Sequence, residues 1–388
     1  MKRLKNLFSL IVRSALLLVF LGLSLSCYAK TKNDRANIAV QYMKKGKNTY
    51  EYIADKLRNY KVVALGEDHW IADHSDFLCD VLRNVGYTAD THISNLAIEF
   101  GSERDQILAD TLAFGKTWNE EYANKILLGA PDIFGNPYKG YRDVLYTLWE
   151  TNQLKPDSLK TRLVLLDPWS IARNPEDRDV NIAKNLRNLI SSNGKTIFYA
   201  GQAHTQYQTR GQQSSQQGYY YNYPSGAKYI KICYPNDIFS INLWGGFMGE
   251  YGYQPNEETV WTLIDGGEID KAFELHGNIP VGFDIDASFP LTPSQTYAGK
   301  DSGREPWPQM SENGNPYTAD LTMADYCDGI IFVKPIKEFT GMQLIDIYND
   351  VWVATLADRI DPPPARSKDE IFKKILEWHP TCLPLKDK

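Results

Sequence analysis

Lys61-Val62-Val63-Ala64-Leu65-Gly66-Glu67-Asp68-His69 is the stretch on which the fold turns. Apolar residues follow one another from Val62 to Leu65 without polar alternation, the pattern of a strand covered on both faces in a parallel sheet flanked by helices. Gly66 admits a sharp turn, and beyond it Glu67 and His69 are at once capable of proton chemistry. Three further apolar runs stop in the same way: Leu96 to Glu99, Leu163 to Asp167, and Thr196 to His204. In an open parallel sheet the ligand crevice lies outside the carboxyl ends of the strands. The four endings therefore aim Glu67, His69, Glu99, Asp167 and His204 at one pocket.

Working outward, the pattern predicts an α/β fold: a mostly parallel central sheet flanked by helices, with an elaborated C-terminal half and long loops. Residues 37–58 suggest two short helices over one edge of the sheet. A helix from about Asp73 to Val85 follows the first motif, with Asp73 or Ser75 as N-cap and Phe77, Leu78, Val81, Leu82 and Val85 at helical spacing. Residues 103–128 and 139–153 read as mostly helical. A third strand, Arg162 to Asp167, precedes a helix over Asp177–Leu189, and Asn193-Gly194 turns the chain into a fourth strand from Thr196.

After His204 the pattern loosens. Residues 206–225, rich in glutamine and tyrosine, read as a polar loop. Further strands are expected at Ala227–Tyr234, Pro280–Ile285 and Gly329–Val333, and helices at 265–275, 342–358 and 368–378. Residues 290–318, with Pro290, Pro293, Pro306, Pro308 and Pro316, read as a lid or binding loop. Asp361 to Pro364 marks a linker. The expected organisation is a signal peptide over 1–29, one α/β domain over 30–360 with its motif core at 60–206, and a linker and C-terminal helix over 361–388.

The 388 residues are 43% hydrophobic and 23% charged, enough for a large core. A formal charge of -6 without a basic cluster argues against nucleic acid as a partner. Lys2, Arg3, Lys5 and Arg13 before the apolar run Ser14–Leu25 form a secretory signal too short to span a bilayer comfortably. Two endings are open: cleavage after Ala29, or membrane attachment through a lipidated Cys27. Either places the protein outside the cytoplasm, as a periplasmic, outer-membrane or secreted species. Cys79, Cys233, Cys327 and Cys382 form no CxxC pair, and the first three sit in apolar segments that favour buried thiols.

His69 and His74 are five apart, about 140° on a helix, so they do not form the one-face pair of an HExxH zinc motif. His74 has helix capping as its plain alternative. A buried carboxylate needs a compensating donor, so Glu67 and Glu99 imply His69, His204 or Arg178 nearby; for Glu99 the plain alternative is an ion pair with Arg104. Asp167 either orients a histidine or ends a strand by turn formation at Pro168. No GxSxG elbow exists, and the SxxK match from Ser192 to Lys195 is better read as a turn. Asp284 and Asp286 are a fragment of a calcium loop lacking the other ligands, and the tyrosines at 219, 220, 221 and 223 could stack on a ligand.

Gly66-Glu67-Asp68-His69, Ile98-Glu99, the pair Arg178-Asp179, and Gly201-Gln202-Ala203-His204 together resemble the superfamily of erythromycin esterases, ChaN haem-uptake lipoproteins and Tiki-like proteases. The likeness spans roughly residues 60–206. The esterases usually read GEATH, so the shorter GEDH spacing is nearer the ChaN and Tiki branches. The resemblance implies a hydrolase of ester, lactone or peptide bonds acting on a small-molecule or peptide substrate. In it His69 would deprotonate a water, Glu67 or Glu99 would fix its tautomer, His204 would stabilise or protonate the leaving side, and Arg178 would neutralise an anion. A divalent metal on His69, Glu99 and His204 is the metal-dependent version. The alternative it implies is a ChaN-type uptake lipoprotein that binds haem or metal without turnover.

Overall fold

The computed structural model describes residues 35–130, 133–168, 175–192, 194–207, 209–213, 220–245, 247–248, 261–262, 267–291, 322–359, 365–379 and 382–383. The expected signal segment with Cys27, Asn193, Tyr219, most of the expected 290–318 loop and the expected Asp361–Pro364 linker lie outside them.

The chain opens with helix α1 (35–45) and α2 (Thr49–Asn59), then β1 (Val62–Glu67), α3 (Ala72–Asn84), β2 (Asn95–Ser102), α4 (Gln106–Phe114), α5 (Glu120–Leu128) and α6 (Lys139–Leu154). Next come β3 (Arg162–Asp167), α7 (Pro175–Ser191), β4 (Thr196–Gly201), the one-turn α8 (Gln202–Thr205), a hairpin of β5 (Thr209–Gln213) and β6 (Tyr220–Pro224), α9 (Gly226–Cys233) and β7 (Ile238–Leu243). The small pair β8 (Phe247–Met248) and β9 (Trp261–Thr262), α10 (Glu268–Leu275), β10 (Val281–Asp284), β11 (Gly329–Phe332), α11 (Asp350–Arg359) and α12 (Lys368–Trp378) complete it.

Seven strands form one sheet in the order β10-β11-β7-β1-β4-β2-β3, parallel except for the antiparallel edge strand β10. This is the expected α/β architecture. The four motif strands are consecutive neighbours, because each crossover returns through a helix on a sheet face. Every residue of β1, β2 and β4 is buried, matching their unbroken apolar runs. One core layer contains Leu65, Leu82, Ile98, Leu145 and Tyr199; the opposite face packs Ala64, Ala97, Ile182, Leu186 and Phe198.

Several expectations need correction. The sequence pattern predicts a strand over Ala227–Tyr234, but Gly226–Cys233 is helix α9, with the Ser225 hydroxyl accepting from the Lys228 N–H as N-cap. The strand beside β1 is instead Ile238–Leu243, a segment with no strand expected from its pattern. Residues 206–225 include the β5–β6 hairpin, and helix α11 begins at Asp350, well after residue 342. Helix α3 has Ile71 at its N-cap position without a side-chain cap; Asp73 accepts from the Thr340 N–H. Cys233 is exposed, while Cys79, Cys327 and Cys382 are buried, and all four are free. No described helix is long and apolar enough to cross a membrane.

Candidate active site

The carboxyl ends of β1, β2, β3 and β4 bring Glu67, Glu99, Asp167 and Gly201 to one edge of the sheet. Glu67 and Gly201 are register partners on adjacent strands. Between Ile98 and Ser102 the β2–β3 register slips, and Glu99 lies in that irregularity, where a bulge re-aims a side chain. Glu67, Glu99 and Asp167 are 1%, 4% and 0% exposed, so each needs internal donors.

Glu67 has three. Its Oε1 accepts from the Tyr141 hydroxyl at 2.5 Å and lies 2.9 Å from His69 Nδ1, while Oε2 accepts from the Tyr199 hydroxyl. His69 thus has one nitrogen on Glu67; its Nε2 is 3.4 Å from Glu99 Oε1. Burial alone would depress the His69 pKa, but the Glu67 hydrogen bond and the charges of Glu99 and Glu67 prevail over it and over Arg178, pushing it up to about 9.

Glu99 is the hub. Its Oε1 accepts from the Gly201 N–H at 2.5 Å, and its Oε2 lies 3.2 Å from the Arg178 guanidinium and 3.4 Å from His204 Nε2. Desolvation opposes its ionisation, yet His204, His69, Arg178 and the Gly201 amide hold it down at about 2. Asp167 takes Arg178 in a two-pronged pair of 2.6 and 2.7 Å. Burial nevertheless keeps the Asp167 carboxyl above its ordinary pKa, with Arg178 opposing. His204 Nδ1 is 2.7 Å from Asp179 Oδ1, and the same oxygen accepts from the Gly226 N–H at 2.8 Å.

Backbone detail makes room for this packing. A Cβ on Gly201 would lie 2.5 Å from His69 Nε2, and one on Gly66 would lie 2.4 Å from Thr205 Oγ1. Trp70, next to His69, has a positive φ of 69°, a strained state for a bulky residue that its surroundings must enforce. Its Nε1 donates to the Tyr138 hydroxyl at 3.1 Å, its carbonyl accepts from the Met342 N–H at 2.8 Å, and its ring stacks on His379 at 3.8 Å.

Of the expected residues, Glu67, His69, Glu99, Asp167, Arg178 and His204 form one connected network. His74 stands apart. Its Nδ1 accepts from the Asp68 N–H at 3.1 Å and its Nε2 donates to the Trp244 carbonyl at 3.3 Å. Burial lowers its pKa, so the ring is a neutral brace for the motif loop. Arg104 contacts Asp105 in place of Glu99. Asp284 pairs with Lys56 and Tyr52, and Asp286 accepts from Tyr42, which accounts for both acids without calcium. Sequence reasoning missed Tyr141, Tyr199 and Trp70, which lie within helix, strand and loop without a motif; Asp179 was visible only as the second member of the Arg178-Asp179 pair.

Among the described residues, Glu67, His69 and Glu99 each place a ligand atom within 4.8 Å of the others; this trio differs from the expected His69, Glu99 and His204. It fits a divalent ion poorly. Both Glu67 oxygens and His69 Nδ1 are already hydrogen-bonded internally, and the Arg178 guanidinium beside Glu99 repels a dication. For haem, both His204 nitrogens face buried carboxylates, while His69 Nε2, 3.4 Å from Glu99 Oε1, is the ring nitrogen left to meet a ligand or a water. Two of the network's groups reach solvent: the His69 side chain is 39% exposed and Arg178 29%.

No family model and no curated protein sequence matches the chain. Among solved structures it is similar to a Bacillus cereus protein at 10% identity, over 81% of this chain and 99% of that one, with a TM-score of 0.52. A succinoglycan biosynthesis protein matches at 10% identity over 79% and 98%, with a TM-score of 0.51. An erythromycin esterase, EreC, in its open conformation matches at 10% identity over 73% and 92%, with a TM-score of 0.47. What the chain shares with the first two of these proteins, over nearly their whole length, is the fold.

Proposed function

We propose that the protein is an extracytoplasmic hydrolase of ester, lactone or peptide bonds in which His69 transfers the proton of the attacking water. The observation that carries this reading is the setting of the His69 ring: more exposed than any other side chain of the network, yet held on opposite nitrogens by Glu67 and Glu99. General base catalysis needs a proton acceptor within reach of substrate and a fixed ring orientation. His69 has both, whereas Glu99 and His204 are buried behind it.

Arg178 supplies the second exposed group. With its charge shared between Asp167 and Glu99, it is set to hold the oxygen on which negative charge grows as water adds to a carbonyl. His204, braced by Asp179, keeps Glu99 in place from the far side. The GEDH and GxxH motifs and the leader with Lys2, Arg3 and Lys5 support the reaction class and the location.

A panel of esters, lactones and peptides tests the reading, with turnover expected for at least one class and lost in His69→Asn. Absence of turnover across the panel, together with a Soret shift on haem titration that His69→Asn or His204→Asn abolishes, would replace hydrolysis with cofactor uptake.

A further inference from the structure

Glu67 is held by two hydroxyls that no sequence motif marks. We propose that Tyr141 and Tyr199 are positioning residues: from α6 and β4 they clamp both carboxylate oxygens of Glu67, and through Glu67 they hold the His69 ring with Nδ1 inward and Nε2 toward Glu99. For its effect on turnover this inference rests on the hydrolase reading; for ring geometry it does not.

A glutamate has a soft terminal torsion, so a single hydrogen bond to His69 leaves its plane free to rotate and the imidazole free to follow. Two further donors from two different elements, one on each oxygen, remove that freedom. Tyr199 comes from β4, where it is the register partner of Leu65 on β1. Tyr141 comes from α6, and its hydroxyl also lies 3.3 Å from His69 Nδ1, so it touches both members of the pair.

The rings are themselves fixed. Phe100 stacks on Tyr141 at 4.2 Å with an interplanar angle of 3°, and it meets Tyr199 edge-on at 6.4 Å. Tyr138 closes on Tyr141 at 88°. Both tyrosines are buried, at 3% and 0% exposure. Burial, together with the Glu67 charge, pushes both phenols well above their ordinary pKa; they remain protonated and therefore donate. Aromatic packing here would be served equally by phenylalanine, so the hydroxyls act specifically on the carboxylate.

Tyr141→Phe and Tyr199→Phe each delete one oxygen and keep the ring. In full-length protein with 15N-labelled histidine, assigned with His69→Asn, each substitution is expected to shift the His69 Nδ1–H resonance and the ring nitrogen shifts. Tyr146→Phe, on the same helix but exposed, should leave them in place. With a turned-over substrate, kcat should fall about 10- to 100-fold with KM little changed, the cost of a misplaced reacting group. Unmoved His69 resonances in both single variants, with the fold intact by circular dichroism, would overturn the clamp. Shifted resonances in a protein that hydrolyses nothing would uphold the clamp while removing the hydrolase reading.

Discussion

Glu99 gathers two histidines, one arginine and a backbone amide onto two oxygens, and the behaviour of the cleft follows from that crowding. Removing Arg178 leaves Glu99 and Asp167 buried without their shared cation, so Arg178→Ala is expected to cost about 3 kcal/mol in urea denaturation. Combining it with Asp167→Asn should recover part of that loss. Gly201→Ala forces the His69 ring away from a Cβ that would otherwise lie 2.5 Å from Nε2; activity should drop about 100-fold with the melting transition still cooperative. For His69, whose pKa is raised to about 9, kcat/KM should climb with pH toward about 9, because only the deprotonated ring accepts a proton from water. The same shift has a stability sign. The folded state holds the proton more tightly, so the stabilisation is fully present below the unfolded pKa near 6.5 and is lost as pH rises through about 9; urea midpoints at pH 7 and pH 10 check it. The residues at strand ends were legible because an apolar run that stops at an acid or histidine has few other meanings. Tyr141 and Tyr199 were not, because an aromatic residue within an element looks the same whether its hydroxyl meets a carboxylate or solvent.

Strands and helices repeat this division. β1 to β4 were readable because each is an unbroken apolar run, the signature of two covered faces. β7 escaped notice: Ile238-Phe239-Ser240-Ile241-Asn242-Leu243 puts Ser240 and Asn242 in buried positions that ordinarily argue against a core strand. Tertiary partners cover the polarity, since the Ser240 hydroxyl donates to the Thr205 carbonyl and Asn242 Oδ1 accepts from Gln206 Nε2. α9 was misread for the opposite reason: its isoleucines raise strand propensity, whereas Ser225 caps a helix and its apolar side packs on α7. Because β7 lies against β1, Ile241→Ala is expected to cost about 2–5 kcal/mol in chemical denaturation. A cost near zero would show that the sheet can refill the space.

Over the whole molecule, the C-terminal region is bound into the same body as the motifs. Ile371, Phe372 and Ile375 of α12 lie in the core layer that contains Leu65 and Tyr199, while Met342 and His379 hold Trp70 beside His69. Truncation after residue 364 should therefore lower the melting temperature and also disturb the His69 environment, followed by the same histidine resonances. The sequence alone determined the α/β class, the four strands that carry the motifs and the acids and histidines at their ends, because period and punctuation are local properties of the chain. Only the tertiary structure decided that Arg178 belongs to Asp167 and Glu99, that His74 braces a loop, and that two tyrosines from separate elements meet on Glu67. Those outcomes depend on which buried groups must satisfy one another across distances of many residues, a constraint that exists only once the chain has closed around them.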